Sequence, residues 1–209
     1  MQPATKKLIA ISGAAQAAMS PASTVLTGAG QLGREVLDLL AAKNGFFAFE
    51  GALHVFPAGA GRIRDIDAWN EGGCWKNQYP GSLSDVVFFA EDIFGGQFCI
   101  SKAEICAFDP ETGEIERIAG SVEEFAALLL RDHRTLTGYL LAHEWQERNG
   151  VLEQGCRLVP KVPFVLGGEY EVTNLFPLDS VKAMRTYANL ARQIRDLPEG
   201  AEVTFRIVD

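Results

Sequence analysis

The stretch Asp85–Phe108, D-V-V-F-F-A-E-D-I-F-G-G-Q-F-C-I-S-K-A-E-I-C-A-F, decides the fold class. Its apolar runs Val86–Ala90, Phe98–Ile100 and Ile105–Phe108 are short and rich in aromatic or β-branched residues. Gly, Ser and Asp-Pro punctuate them, which is the pattern of successive antiparallel strands with tight connections. The loop Glu91–Gln97 sets an aromatic residue and two glycines between paired strands, with acids beside them. The turn D-P-E-T-G (Asp109–Gly113) then leads into an acidic, strand-like segment.

Working upstream, Leu32, Val36, Leu37, Leu39 and Leu40 recur at helical spacing, so Gln31–Lys43 reads as an amphipathic helix ended by Asn44-Gly45. The aromatic run Phe46–Pro57 reads as a core strand or two with a turn near Gly51. Residues 1–30 contain no acids, are rich in Ala, Ser and Gly, and are expected to begin as a flexible segment. Downstream, Ser121 and Glu124 form a capping box that opens a helix with Phe125, Leu128 and Leu129 inward. A second helix is expected over Leu136–Arg148 with Leu140, Leu141 and Trp145 inward, and a third is capped by Asp179. Glu202–Val208 alternates as a final strand. Strands cluster before helices instead of alternating with them, which predicts an α+β fold. Its core is a central antiparallel or mixed sheet of short strands with flanking helices.

The net charge of −8 is concentrated. From Glu104 to Glu124 there are seven acids against one base, Arg117, a net of −6. Such a face repels phosphate and speeds encounter with a basic partner, so direct nucleic-acid binding is not expected. No apolar run approaches the about 18 residues of a membrane span, and a soluble, cytoplasmic protein is expected. The N-terminal Lys6-Lys7 and A-Q-A only weakly imitate a signal peptide. Four cysteines without C-x-x-C spacing are expected to be reduced, even where Cys99 and Cys106 face each other across a hairpin.

Four motifs suggest chemistry, each beside a plainer reading. G-A-G-Q-L-G (Gly28–Gly33) is a formal G-x-G-x-x-G, but a dinucleotide fingerprint needs a strand before it and a parallel sheet around it. H-E-W-Q-E (His143–Glu147) lacks the second histidine of a zinc motif. Asp65 and Asp67 suit capping as well as magnesium. G-G-E-Y-E-V-T-N-L-F-P (Gly167–Pro177) is either a ligand loop or a structural turn held by Asn174. No cofactor, metal or catalytic constellation is expected.

F-F-A-E-D-I-F-G-G-Q-F resembles the signature of the SUKH superfamily, matched by Phe88, Phe89, Ala90, Glu91, Asp92, Phe94, Gly95 and Phe98. The resemblance covers about residues 44–131. It implies a single domain over 31–209 with a C-terminal extension from about 132. It also implies the role of most members, bacterial immunity proteins that neutralise toxins, many of them nucleases; a fungal branch regulates cell-wall synthesis. The expectation is a non-enzymatic protein-binding module that occludes a basic toxin domain, with Glu91, Asp92, Glu111, Glu114 and Glu116 as contacts. Two alternatives stay open: an enzyme or nucleotide binder built on Gly28–Gly33, and a housekeeping interaction scaffold.

Overall fold

The computed structural model describes residues 1–17, 20–60 and 64–197. Six short strands form one sheet: β1 (Phe46–Ala48), β2 (Leu53–Val55), β3 (Val87–Glu91), β4 (Gln97–Ser101), β5 (Glu104–Phe108) and β6 (Ile115–Ala119). They pair in sequence order and every pairing is antiparallel. The fold is therefore α+β with a purely antiparallel central sheet. Lys102 and Ala103 join β4 to β5 with φ of 49° and 59°, the left-handed pair that suits a tight hairpin between twisted strands.

Alternation along β4 separates two layers. Phe98 packs on Phe125 of α5 (Val122–Thr137), with ring centroids 5.0 Å apart. Its neighbours Gln97 and Cys99 face the other way, toward Trp69 of α4 (Ile66–Asn70) and the Trp75–Phe88–Phe108 cluster. Between Phe88 and Ala90 the ladder carries a bulge, so Phe88 pairs with Cys99 while Glu91 pairs with Gln97. The extra residue changes the strand's parity. Phe88 and Glu91, three residues apart, thus end on the same inner face.

The first thirty residues, expected to begin flexible, hold α1 (Pro3–Ile11) and α2 (Thr24–Gly28), with Leu8 and Leu26 buried. Gln2 offers α1 no side-chain cap, and Glu123 supplies one from α5 by accepting from the N–H groups of Ala4 (2.7 Å) and Thr5 (3.0 Å). The expected helix over Gln31–Lys43 is α3 (Gly30–Ala42), its stripe buried at Leu32, Val36, Leu39 and Leu40. Ser121 caps α5 as expected, but Glu124 reaches back to the N–H of Gly120 (2.7 Å), one residue before the place a capping box requires.

Downstream, α5 kinks at Asp132 and ends at Gly138, whose φ of 67° separates it from α6 (Tyr139–Asn149). That break resets the helical phase, so Leu140 is exposed where an unbroken helix from Leu136 would have turned it inward. A two-stranded sheet, β7 (Cys156–Pro160) with β8 (Leu175–Asp179), precedes α7 (Ser180–Ile194). Asp179 caps α7 as expected, accepting from the N–H groups of Val181 and Lys182. Met184 and Tyr187 of α7 join the main core beside Phe88 and Trp69. The expected strand Glu202–Val208 lies outside the described residues. Among those residues no helix is long and apolar enough to cross a membrane.

Candidate functional site

The loop after β3 is closed by its own aspartate. Asp92 Oδ1 accepts from the N–H groups of Phe94 and Gly96, both at 2.8 Å, and the Asp92 N–H donates to Gly96 O. Gly95 sits at φ 90°, and a Cβ at Gly96 would overlap the Asp92 carboxyl. Both glycines are thus required by the turn. Desolvation raises the Asp92 pKa to about 7, against the lowering effect of its two backbone donors. Expected as a partner contact, Asp92 is half-buried and locks its own loop.

Glu91 is corrected more sharply. It is fully buried, and its Oε1 lies 3.1 Å from His54 Nδ1 and 2.7 Å from Arg157 Nη2. Phe47 stacks on His54 at 4.3 Å and also lies under Arg157. Burial alone would raise the Glu91 pKa, but Arg157 and His54 together hold it below its usual value. Burial holds His54 down, toward its neutral form. The cluster ties β2 and β3 of the large sheet to β7 of the small one, so Glu91 is a structural anchor and not a surface acid.

Glu111 is also internal. It is 5% exposed, and its two oxygens accept from the N–H groups of Phe164 (3.1 Å) and Val165 (2.7 Å). Burial raises its pKa despite these bonds. It thereby pins the β7–β8 connection, whose base Asn174 clamps through Val162 and Glu169, as a structural turn requires. Of the five expected contacts, Glu114 and Glu116 alone are fully on the surface, at the start and along the length of edge strand β6.

These three segments enclose a cleft of about 410 Å³ between the Asp92–Gly96 loop, the Asp109–Gly113 turn and the β7–β8 connection. Phe164 and Tyr170 stack on one wall, with centroids 4.0 Å apart and ring planes 3° from parallel. Phe94 meets Phe164 edge-on at 5.4 Å, and Tyr187 from α7 donates to Phe94 O. Asp92, Asp109 and Glu111 also line it, and among the described residues no lysine or arginine does. None of these three acids has a salt-bridge partner among the described residues. Asp109 was absent from the expected contacts, yet it is exposed at the rim and orders the turn by accepting from Glu111 N–H. Its place in D-P-E-T-G was the available signal, since a turn-opening aspartate faces outward beside its hairpin.

The remaining motifs are structural. Gly28–Gly33 joins two helices: α2, not a strand, precedes it, and a Cβ at Gly33 would overlap Leu26 O. The geometry of a dinucleotide fingerprint is therefore missing. Asp65 caps α4 by accepting from Ala68 N–H, and Asp67 accepts from the Thr24 and Val25 N–H groups of α2. His143 pairs with Glu50 at 2.7 Å, latching the β1–β2 turn to α6. Cys99 and Cys106 are direct cross-strand partners and are free thiols, as are Cys74 and Cys156. Among the described residues no group of three or more ligand-type side chains is placed to hold a metal.

No family model matches the chain, and no curated protein matches it. The fold is similar to that in the crystal structure of Atu4351 from Agrobacterium tumefaciens, with a TM-score of 0.55 at 11% identity. The match covers 85% of each chain. At that identity the likeness concerns the fold alone, an α+β arrangement with a central antiparallel sheet flanked by helices.

Proposed function

We propose that the chain is a non-enzymatic protein-binding module that receives a basic protein at the β5–β6 end of its sheet. The observation that carries this reading is the placement of exposed carboxylates. Asp109, Glu114 and Glu116 lie on and beside the turn into β6, next to a cleft lined by acids and, among the described residues, by no lysine or arginine. Acids without internal counter-charge steer a cationic partner and are relieved by it. Glu91 and Glu111 no longer belong to the contact set, because both are buried and bonded inside the fold.

The resemblance to the SUKH superfamily makes a toxin domain the partner of choice, with occlusion of its functional surface as the mechanism. The loop that carries the resemblance, Asp92–Gly96, forms one wall of the cleft. Affinity capture from the native host with the tagged full chain tests this. One basic protein should be retained stoichiometrically, more at low than at moderate salt, and its expression alone should arrest growth that co-expression of this chain restores. Retention of an acidic protein, or of a basic one whose expression is harmless, would overturn the immunity role. The second outcome would favour a housekeeping scaffold instead.

A further inference from the structure

We infer that the cleft between the Asp92–Gly96 loop and the β7–β8 connection takes an arginine side chain from the partner protein, which stacks on the Phe164–Tyr170 wall. This deepens the protein-binding reading and rests on it. At about 410 Å³ the cleft is at the small end of ligand pockets, which span about 300–1,000 Å³, and suits one long side chain better than a cofactor.

Two independent features select the chemistry. The first is the wall itself. Phe164 and Tyr170 are stacked flat, and Tyr170 is 65% exposed, so the pair offers an open planar surface. A guanidinium stacks on such a face and gains cation–π attraction, whereas an ammonium is a compact and more strongly hydrated charge. The second is the charge. Asp109 stands exposed at the rim, Asp92 and Glu111 line the interior, and among the described residues no lysine or arginine lines the cleft or forms a salt bridge with them. Burial raises the Tyr170 hydroxyl pKa, and the carboxylates of Glu111, Asp109 and Asp92 add to the rise. A metal ion fits poorly, because both Glu111 oxygens and Asp92 Oδ1 already accept from backbone N–H groups, and among the described residues no three ligand-type side chains are grouped to hold one.

The test is a titration of the ¹⁵N-labelled full chain with N-acetyl-L-arginine amide, a blocked residue as found within a protein. Its uncharged citrulline counterpart and free L-arginine serve as the other arms. The backbone amides of Phe94, Val165 and Tyr170 should shift saturably with the arginine amide. The citrulline compound should bind at least about fivefold more weakly, and Tyr170→Ala or Asp109→Asn should each weaken arginine binding by about fivefold. Asp109→Asn keeps the oxygen that accepts from Glu111 N–H and Tyr170 is exposed, so away from the cleft the spectra of the variants should match the parent. Free L-arginine should bind less well than the blocked form, because the acids repel its carboxylate; tighter binding of the free form would assign the cleft to a small molecule. Absence of shifts, equal shifts with citrulline, or insensitivity to both substitutions would overturn the assignment. A host partner held equally by the parent and by Tyr170→Ala would sink the cleft assignment and leave the protein-binding reading standing. Arginine binding without any basic partner would do the reverse.

Discussion

Replacing Glu91 by Gln should be among the most damaging changes in the chain, although it removes only a charge. Glu91 is fully buried and Arg157 is 3% exposed, so the substitution leaves a guanidinium in the interior that cannot shed its proton. Removing one member of such a pair costs about 3–5 kcal/mol, against a total stability of about 5–15 kcal/mol for a typical domain. The pair itself is not a large net gain. Glu91 Oε2 and Arg157 Nε have no hydrogen-bond partner among the described residues, so part of the desolvation cost is never recovered. The double substitution Glu91→Leu with Arg157→Met should therefore recover most of the loss. Urea unfolding followed by tryptophan fluorescence is a suitable assay, since Trp69, Trp75 and Trp145 are all buried. The pH dependence provides a second arm. The pKa of Glu91 is held below its usual value, so its contribution is present above the unfolded-state value of about 4.3 and is lost as pH falls through the lower folded value. The stability gap between parent and Glu91→Gln should be widest near neutrality and should narrow below about pH 4. A loss under about 1 kcal/mol for the single variant, or a double variant no better than the single, would refute the argument.

Asp92 carries the opposite sign. With its pKa raised to about 7, the folded state binds a proton that the unfolded state releases near pH 3.9, so its contribution declines as pH rises from about 4 to 7. Asp92→Asn keeps an acceptor for both backbone donors and does not titrate. Relative to the parent it should gain about 1–2 kcal/mol between pH 4 and 8, discounted for partial exposure; a gap that does not change with pH would contradict this. Gly138→Ala should cost at least about 2 kcal/mol by chemical unfolding, since a Cβ there would meet the Phe94 ring and Ile93 at a backbone φ of 67°; unchanged stability would mean the loop yields freely. Gly33→Ala should likewise destabilise by separating α2 from α3. Millimolar ATP or NAD should leave the melting temperature of the parent unchanged, whereas a rise would restore the nucleotide reading of Gly28–Gly33.

Local signals were legible in the sequence where one element decided them. The 3.6-residue period from Leu32 to Leu40 places α3 almost to the residue, and Ser121 and Asp179 cap the helices they announce. The three apolar runs around the signature become β3, β4 and β5 because their punctuation is itself the turn chemistry. What could not be read depends on distant partners. A single bulged residue in β3 turns Glu91 from a loop acid into an interior one, and its cation lies 66 positions later in β7. Glu111 was hidden for the same reason, since its donors are backbone groups of a loop that no side-chain pattern marks. The N-terminal segment reads as flexible because the cap of α1, Glu123, comes from α5. Only Glu114, in the turn before β6, and Glu116, within it, stayed on the surface where a hairpin reading put them.

The most direct test of the central claim is the association rate of the captured basic partner with the parent and with Glu114→Lys/Glu116→Lys, measured at low and moderate salt. Both positions are exposed, so the variant should fold as the parent does. Association should slow by about tenfold or more at low salt, with a much weaker salt dependence, because edge charges act mainly on encounter. Equal rates and equal salt dependence for the two proteins would remove the acidic end of the sheet from the interface and contradict the account.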